Sequence, residues 1–561
     1  MIRSLSLIIA ALFAIQAPAA KVTNEQLTIG TSQEYDSLNP IIATMMMSNY
    51  IYSLVGRSLV VLDAEGKWVP QLAQSIPSLK NGGAKIITLN GEKTIEANWV
   101  IRSDAKWSDG TPVVCADFQL ALEVINNPNV SVSNKEELGI VEKVEWQEKT
   151  PQNCKFTYNK LRWDFYQIPR LMPLPSKIEG AIYKKFVNEK QGYEKNSAYS
   201  ANPTTEGLYN GPYKVSEIKL GSYIVLVPNS HFYGPAPKIK KIIIKLIPNT
   251  GTLEAHLLTG TIDMIAPVGY TIDLALALEK KIKAQNLPYV VTNKASLNYE
   301  HIDLQQKNPI LKDKRVRKAL LYSINREELN KSLFEGRAEV ALHPFTKIDP
   351  WYVEDPKKIS IYKYDLRQAT QLLDEAGWVL DKSKGYRYKN GEKLSLQFMT
   401  TAGNKIRELI QTYLQTKWRD VGIEIIVKNE PPRVLFGEAV RKSLFSGMVL
   451  FAWSSFPERP PLSLHSKSIP SEANGWSGRN TFSWSNARVY ELIEKIDLEF
   501  DGKKRASYAQ EIARIYSDEL PALPMFYLTE NAVYPQNLKN FRLTGHQFYE
   551  TNEVEKWELS P

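Results

Sequence analysis

Side chains equipped for chemistry concentrate in one stretch, Phe451-Ala452-Trp453-Ser454-Ser455-Phe456-Pro457-Glu458-Arg459-Pro460. Rings, hydroxyls, a carboxylate and a guanidinium set this close together are equipment for gripping a ligand. The rings supply apolar walls and the polar groups fix orientation. Trp453 serves equally well as a pocket wall or as plain core. Two further places join it. Glu34-Tyr35 follows a short alternating strand at residues 26–31, and Asn298, Tyr299 and His301 form the other. Glu34 also reads as an ordinary surface carboxylate.

Bond-breaking chemistry has no comparable footing. The sequence holds no G-x-S-x-G elbow, P-loop, G-x-G-x-x-G or H-E-x-x-H. Its 2 cysteines and 6 histidines are scattered without metal-ligand spacing. Acidic pairs are plentiful, but sequence alone places no two of them across a bond. No catalytic residue, metal or cofactor is expected.

A large scaffold must hold these candidates. At 561 residues the chain is too long for one hydrophobic core, and about two to four domains are expected. With 43% hydrophobic and 23% charged residues the composition is globular, not disordered. The net charge of +9 is spread along the chain with no long Lys/Arg run. A nucleic-acid groove gathers its basic residues on one element, so no such partner is expected.

Residues 1–20 read as a secretory signal peptide: Arg3 supplies the positive start, residues 5–15 the apolar run, and Ala17-Pro18-Ala19 the cleavage site. The run is too short to span a bilayer, and no later segment approaches about 18 uninterrupted apolar residues. No cysteine follows the cleavage site to take a lipid anchor. The expectation is an exported, periplasmic protein without an anchor. In that oxidising compartment Cys115 and Cys154 can pair; two buried free thiols are the alternative.

Local signals place the elements. Trp107-Ser108-Asp109-Gly110-Thr111-Pro112 is a tight turn and then an extended step, because glycine tolerates positive φ and the residue before proline leaves the helical region. Asp117 is placed to cap a helix through Phe118, Ala121, Leu122 and Ile125, stopped by Asn127-Pro128. Asn325 and Glu328 form a capping box, and Asp365 caps a helix closed by Gly377.

Taken whole, Trp-Ser-Asp-Gly-Thr-Pro resembles the signature of the peptide/nickel class of periplasmic solute-binding proteins, receptors of ABC importers typified by the oligopeptide- and dipeptide-binding proteins. Other segments resemble the class in the same order: Pro70-Gln71-Leu72-Ala73, Asn210-Gly211-Pro212-Tyr213, Asp313-Lys314-Arg315-Val316-Arg317 and Leu520-Pro521-Ala522-Leu523-Pro524. The resemblance implies an α/β, two-lobed periplasmic-binding-protein fold (type II, large class) with an inserted subdomain in the first lobe. The expected division is lobe I at 21–55, 176–292 and 515–561, the inserted subdomain at 56–175, and lobe II at 293–514. It implies a monomer that closes on a peptide or peptide-like ligand and delivers it to the membrane subunits of an ABC permease.

In oligopeptide-binding members of the class, an Asp three residues after the Trp grips the ligand's α-ammonium. Trp453 and Pro460 keep that spacing, but Phe456 stands at the Asp position. Either Glu458 or Glu34 takes over, or the ligand has no free amino terminus. Competing readings are a secreted hydrolase of peptides or glycans, a receptor for an oligosaccharide or metal chelate, and a scaffold that binds unfolded chains.

Overall fold

Two long strands, each shared by both halves of the molecule, organise the chain. The computed structural model describes residues 25–132, 135–168, 170–454 and 457–561. The expected signal peptide lies outside the described residues, as do Ser455 and Phe456. The large sheet has 11 strands. In chain order they are β1 (Gln26–Thr31), β2 (Tyr213–Lys219), β3 (Tyr223–Pro228), β4 (Lys241–Leu246), β5 (Met264–Ile265), β6 (Tyr289–Leu304), β7 (Glu339–Val340), β8 (Ser395–Thr400), β9 (Glu424–Val427), β10 (Met448–Ser454) and β11 (Ala522–Pro535). Across the sheet they run β9-β8-β10-β6-β11-β5-β1-β4-β3-β2, with β7 beside β11. Runs such as Ile242-Ile243-Ile244 in β4 suit a buried strand, since branched side chains pack well on a pleated surface.

β6 and β11 pair antiparallel in two stretches. Residues 289–295 face 529–535 in lobe I, and residues 299–303 face 522–527 in lobe II. Between Ala295 and Tyr299 the register shifts, and the strand can bend there. Ser296 stitches the gap: its hydroxyl donates to the Leu528 carbonyl (2.6 Å) and accepts the Asn298 N–H (3.1 Å). Because β11 is continuous, the chain changes lobes in mid-strand. Helix Gly502–Glu519 and β11 through Tyr527 therefore still pack in lobe II, beyond the expected boundary at 515.

The lobe II sheet lies between two cores, one around Leu320, Leu373, Trp418 and Phe526, the other around Trp351, Phe451, Val489 and Ile512. Lobe I and the inserted segment share one continuous core, so the insert is an extension of the lobe rather than a separate body. Its sheet runs Ala84–Leu89, Glu92–Val100, Thr150–Tyr158, Val141–Gln147. A disulfide between Cys115 and Cys154 ties helix Cys115–Asn126 to that sheet. Trp107 plugs the junction and donates to Asp117 Oδ2 (2.9 Å). Asp117 is not the helix N-cap but stands inside the first turn, accepting the Val114 N–H (3.0 Å) and the Ser176 N–H (2.9 Å). The Asn325 and Asp365 side chains do accept the free N–H groups that open their helices.

Candidate functional site

β8 runs beside β10 only as far as Thr400 opposite Leu450, after which Thr401 turns away to Glu430. β6 continues to pair with the other side of β10 through Ser454. Among the described residues, the edge of 451–454 turned away from β6 therefore has no strand beside it. An open edge offers a row of backbone donors and acceptors.

This edge borders a cleft, open to solvent, that both lobes line. Lobe I contributes Gln33, Met46, Tyr270, Glu530 and Tyr549; lobe II contributes Asn298, Glu300, Asn404, Arg407, Ala452 and Phe526. Arg407 stands in the first turn of helix Lys405–Asp420, whose cap Asn404 accepts its N–H (3.2 Å). It grips Glu300 through two parallel bonds of 2.7 and 2.9 Å, so the lobe II wall carries a neutralised pair. On the lobe I wall Glu530 accepts the Gly545 N–H (2.7 Å). Burial raises its carboxyl above the usual range, and burial together with Glu530 raises Glu550 further.

Strand alternation divides the expected site residues between two faces. Asn298 and Ser454 are opposite each other on one face, with Asn298 in the cavity and the Ser454 hydroxyl buried and unpaired among the described residues. Tyr299, His301 and Trp453 point to the other face. There His301 stacks on Tyr299 (4.9 Å between centroids) with Nε2 3.1 Å from Asp303 Oδ1, and the Tyr299 hydroxyl bonds that of Tyr516 (2.7 Å). With Trp453 they line a smaller cavity inside lobe II. Glu34 is exposed, and with the half-buried Tyr35 it lines an adjoining cleft that Arg433 of lobe II also borders. Burial, then the Glu34 charge, raises the Tyr35 hydroxyl. Glu458 adopts positive φ (54°) in the following loop, 3.6 Å from Arg505. Ser455 and Phe456 lie outside the described residues.

Glu300, Arg407 and Glu530 are absent from the expected set. One signal for Glu300 was available: Tyr299 and His301 flank it in a strand, so it must face oppositely. Arg407 and Glu530 come from remote sequence and carry no local mark. Among the described residues, no group of three or more His, Cys, Asp or Glu is placed to hold a metal, and no helix is long and apolar enough to cross a membrane.

Similarity to known proteins agrees with this architecture. The chain superimposes on the crystal structure of the oligopeptide-binding protein from Thermus thermophilus complexed with a pentapeptide, with TM-score 0.86, 24% identity and 96% of each chain covered. It is 27% identical over 355 residues to the oligopeptide-binding protein AppA of Bacillus subtilis (strain 168), 63% of this chain and 62% of that one. The match thus spans less than two thirds of that relative's length. Similarity to the nickel-binding periplasmic protein of Escherichia coli (strain K12) is 24% over 538 residues, 94% of this chain and 95% of the relative. The family model described as "Bacterial extracellular solute-binding proteins, family 5 Middle" matches residues 67–475, and this chain therefore belongs to the family 5 extracellular solute-binding proteins.

Proposed function

We propose that this protein is the extracytoplasmic ligand-binding component of an ABC importer and captures a peptide or peptide-like molecule between its lobes. The open edge of β10 at a cavity lined by both lobes is the observation that carries this reading. An extended peptide can add to such an edge through its main chain, so the bonds serve many sequences while the cavity accommodates the side chains. Closure removes the ligand from water, which makes each paired polar group worth more. The receptor acts as a monomer, reaches the periplasm through its signal peptide without a lipid anchor, and presents the closed form to a membrane permease. The guest leaves chemically unchanged.

Calorimetry and small-angle scattering test this with defined peptides, murein peptides, nickel chelates and oligosaccharides. Peptide binding with contraction of the molecule is expected. Silence from all four groups, or cleavage of a bound peptide, overturns the reading; a response confined to chelates or oligosaccharides transfers it to that ligand class.

A further inference from the structure

The charges of the interlobe cleft are answered within the protein itself. Among the described residues that line it, the charged side chains are Glu300, Arg407 and Glu530. Two parallel bonds of 2.7 and 2.9 Å join Arg407 to Glu300, and the same guanidinium donates to the Thr401 hydroxyl (3.3 Å). Lys294 stands opposite Glu530 in the strand pairing, and its charge acts on that carboxyl, which also accepts the Gly545 N–H. What stays unsatisfied is neutral. The hydroxyls of Tyr270 and Tyr549, both lining residues and 5% and 3% exposed, have no partner among the described residues. The Ser454 hydroxyl, at the open edge of β10, is in the same state. Other polar groups of the lining are also neutral, from Gln33, Asn298 and Thr271. Exposed charges begin farther out: Gln33 joins this cleft to the adjoining one, where Glu34 and Arg433 meet solvent.

A charge that a guest carries into the inner cleft gives up its water and finds each opposite charge engaged. Burying an ion without a partner is strongly unfavourable. Drawing Arg407 away from Glu300 only moves the defect, because Glu300 is then the buried ion left alone. A neutral guest fares differently, since its carbonyl groups give the idle hydroxyls a bond they otherwise lack. We propose that the Glu300–Arg407 pair is a specificity device that excludes charge, so that the inner cleft takes a neutral segment rich in amide or hydroxyl groups. Short peptide guests then bind with blocked or cyclised ends. Longer ones place their charged ends past Gln33, in the adjoining cleft, where water screens charge and an ion pair adds little. The inference rests on the receptor reading above and narrows its substrate class.

The probes are Ala-Ala-Ala with free ends, its N-acetylated amide, its N-acetylated form with a free carboxylate, and tri-N-acetylchitotriose against its deacetylated, cationic form. Each is titrated calorimetrically at about pH 6. Wild type is expected to prefer the fully blocked peptide to the free one by about tenfold or more, the range set by leaving one charged group without its hydrogen bond. Glu300→Gln keeps an acceptor for the Arg407 guanidinium but no longer cancels its charge. It is expected to shift preference by about tenfold toward the peptide whose carboxylate is free. The wild-type comparison stands whether or not that variant folds.

Equal or tighter binding of the free-ended peptide by wild type overturns the charge filter and leaves the receptor reading standing. A wild-type preference for the blocked peptide, with a folded Glu300→Gln that gains nothing for the free carboxylate, overturns the role given to the pair. Binding of the neutral sugar in preference to its cationic form, with no peptide bound, supports the filter and removes the peptide reading. Failure of both neutral probes overturns both.

Discussion

Two of the regions where the lobes meet are made of different bonds. At the hinge, β6 and β11 carry a backbone ladder from one lobe to the other, interrupted where the register shifts between Ala295 and Tyr299 and again between Glu300 and His301. Away from the hinge, the loop after Tyr158 reaches lobe II largely through side chains. Asp164 accepts from Arg162 (2.6 and 2.8 Å) and lies 3.2 Å from Arg459 of lobe II, which also donates to the Gln167 carbonyl (2.9 Å). Lys160 pairs with Asp497 (2.7 Å), the Trp163 N–H donates to the Asp497 carbonyl (2.9 Å), and the Arg505 guanidinium lies 3.5 Å over the Trp163 ring. The ladder can flex at its bulge while its bonds survive. The second region, a latch, exists only when the lobes are together. Connectivity resides in the hinge, and the preference for closure resides in the latch.

The largest expected effect follows from removing the latch's central charge. Asp164→Ala leaves Arg162 and Arg459 facing each other where Asp164 was 2% exposed. Breaking a buried pair by deleting one partner costs about 3–5 kcal/mol. Denaturant unfolding should show that loss, and scattering should show an expanded ligand-free molecule. An unchanged radius of gyration would mean that the latch does not set closure.

The disulfide sharpens the same contrast. Cys154 sits on strand Thr150–Tyr158, which feeds directly into the latch loop, whereas no cysteine touches the hinge. Reduction should cost about 2–4 kcal/mol, the usual value for a loop of this size. The loss should appear as accelerated hydrogen exchange in residues 84–168, with lobe II protection unchanged. Uniform loss in both lobes would deny the insert any local stability.

The hinge was legible in the sequence and the latch was not, for a physical reason. Crossing strands announce themselves through chain continuity: the expected lobe boundary between 292 and 293 and the Leu520-Pro521-Ala522-Leu523-Pro524 segment rest on local patterns. Asp164 and Arg459 are 295 positions apart in number, and nothing in either neighbourhood names the other. The candidate site shows the same division. Asn298 and the stretch at 451–454 were visible as strand ends rich in useful groups, and Ala452 and Asn298 do border the cavity. Strand alternation then sent Tyr299, His301 and Trp453 into lobe II, a distinction that needs the register. Glu530 and Arg407 needed the tertiary fold itself.

Acid should separate the two regions. Burial alone would raise the Asp164 carboxyl, but Arg162 and Arg459 outweigh it and hold it well below the usual range. Its stabilising contribution is complete above the unfolded value, about pH 4, and is lost as pH falls below that. The Glu530–Glu550 pair behaves oppositely. Burial raises both carboxyls, and the Glu530 charge raises Glu550 further, so the folded state holds the extra proton and stability falls as pH rises. Asp349 in lobe II adds to that limb, pushed by burial up to about 7. The expected profile of melting temperature rises from pH 3 to about 4–5 and declines toward 7, each limb worth on the order of 2 kcal/mol. Asp164→Asn should flatten the acid limb alone, and Glu530→Gln with Asp349→Asn the neutral one. A single limb removed by both sets would merge the regions into one cooperative unit.

The smallest effect belongs to the hinge and is the sharpest test of what a hinge is for. Ser296→Ala removes the hydroxyl that bonds the Leu528 carbonyl and the Asn298 N–H across the register shift. Two ordinary hydrogen bonds near a wet cavity are worth about 1–2 kcal/mol together, less where water replaces them. The ladder on either side keeps the strands joined, so the fold and the latch should both survive. What should change is the freedom of the bend: hydrogen exchange at 296–298 should quicken while scattering of the closed form stays the same. If Ser296→Ala instead opens the molecule as widely as Asp164→Ala, the closing preference is stored in the strands, and the side chains of the latch merely record it.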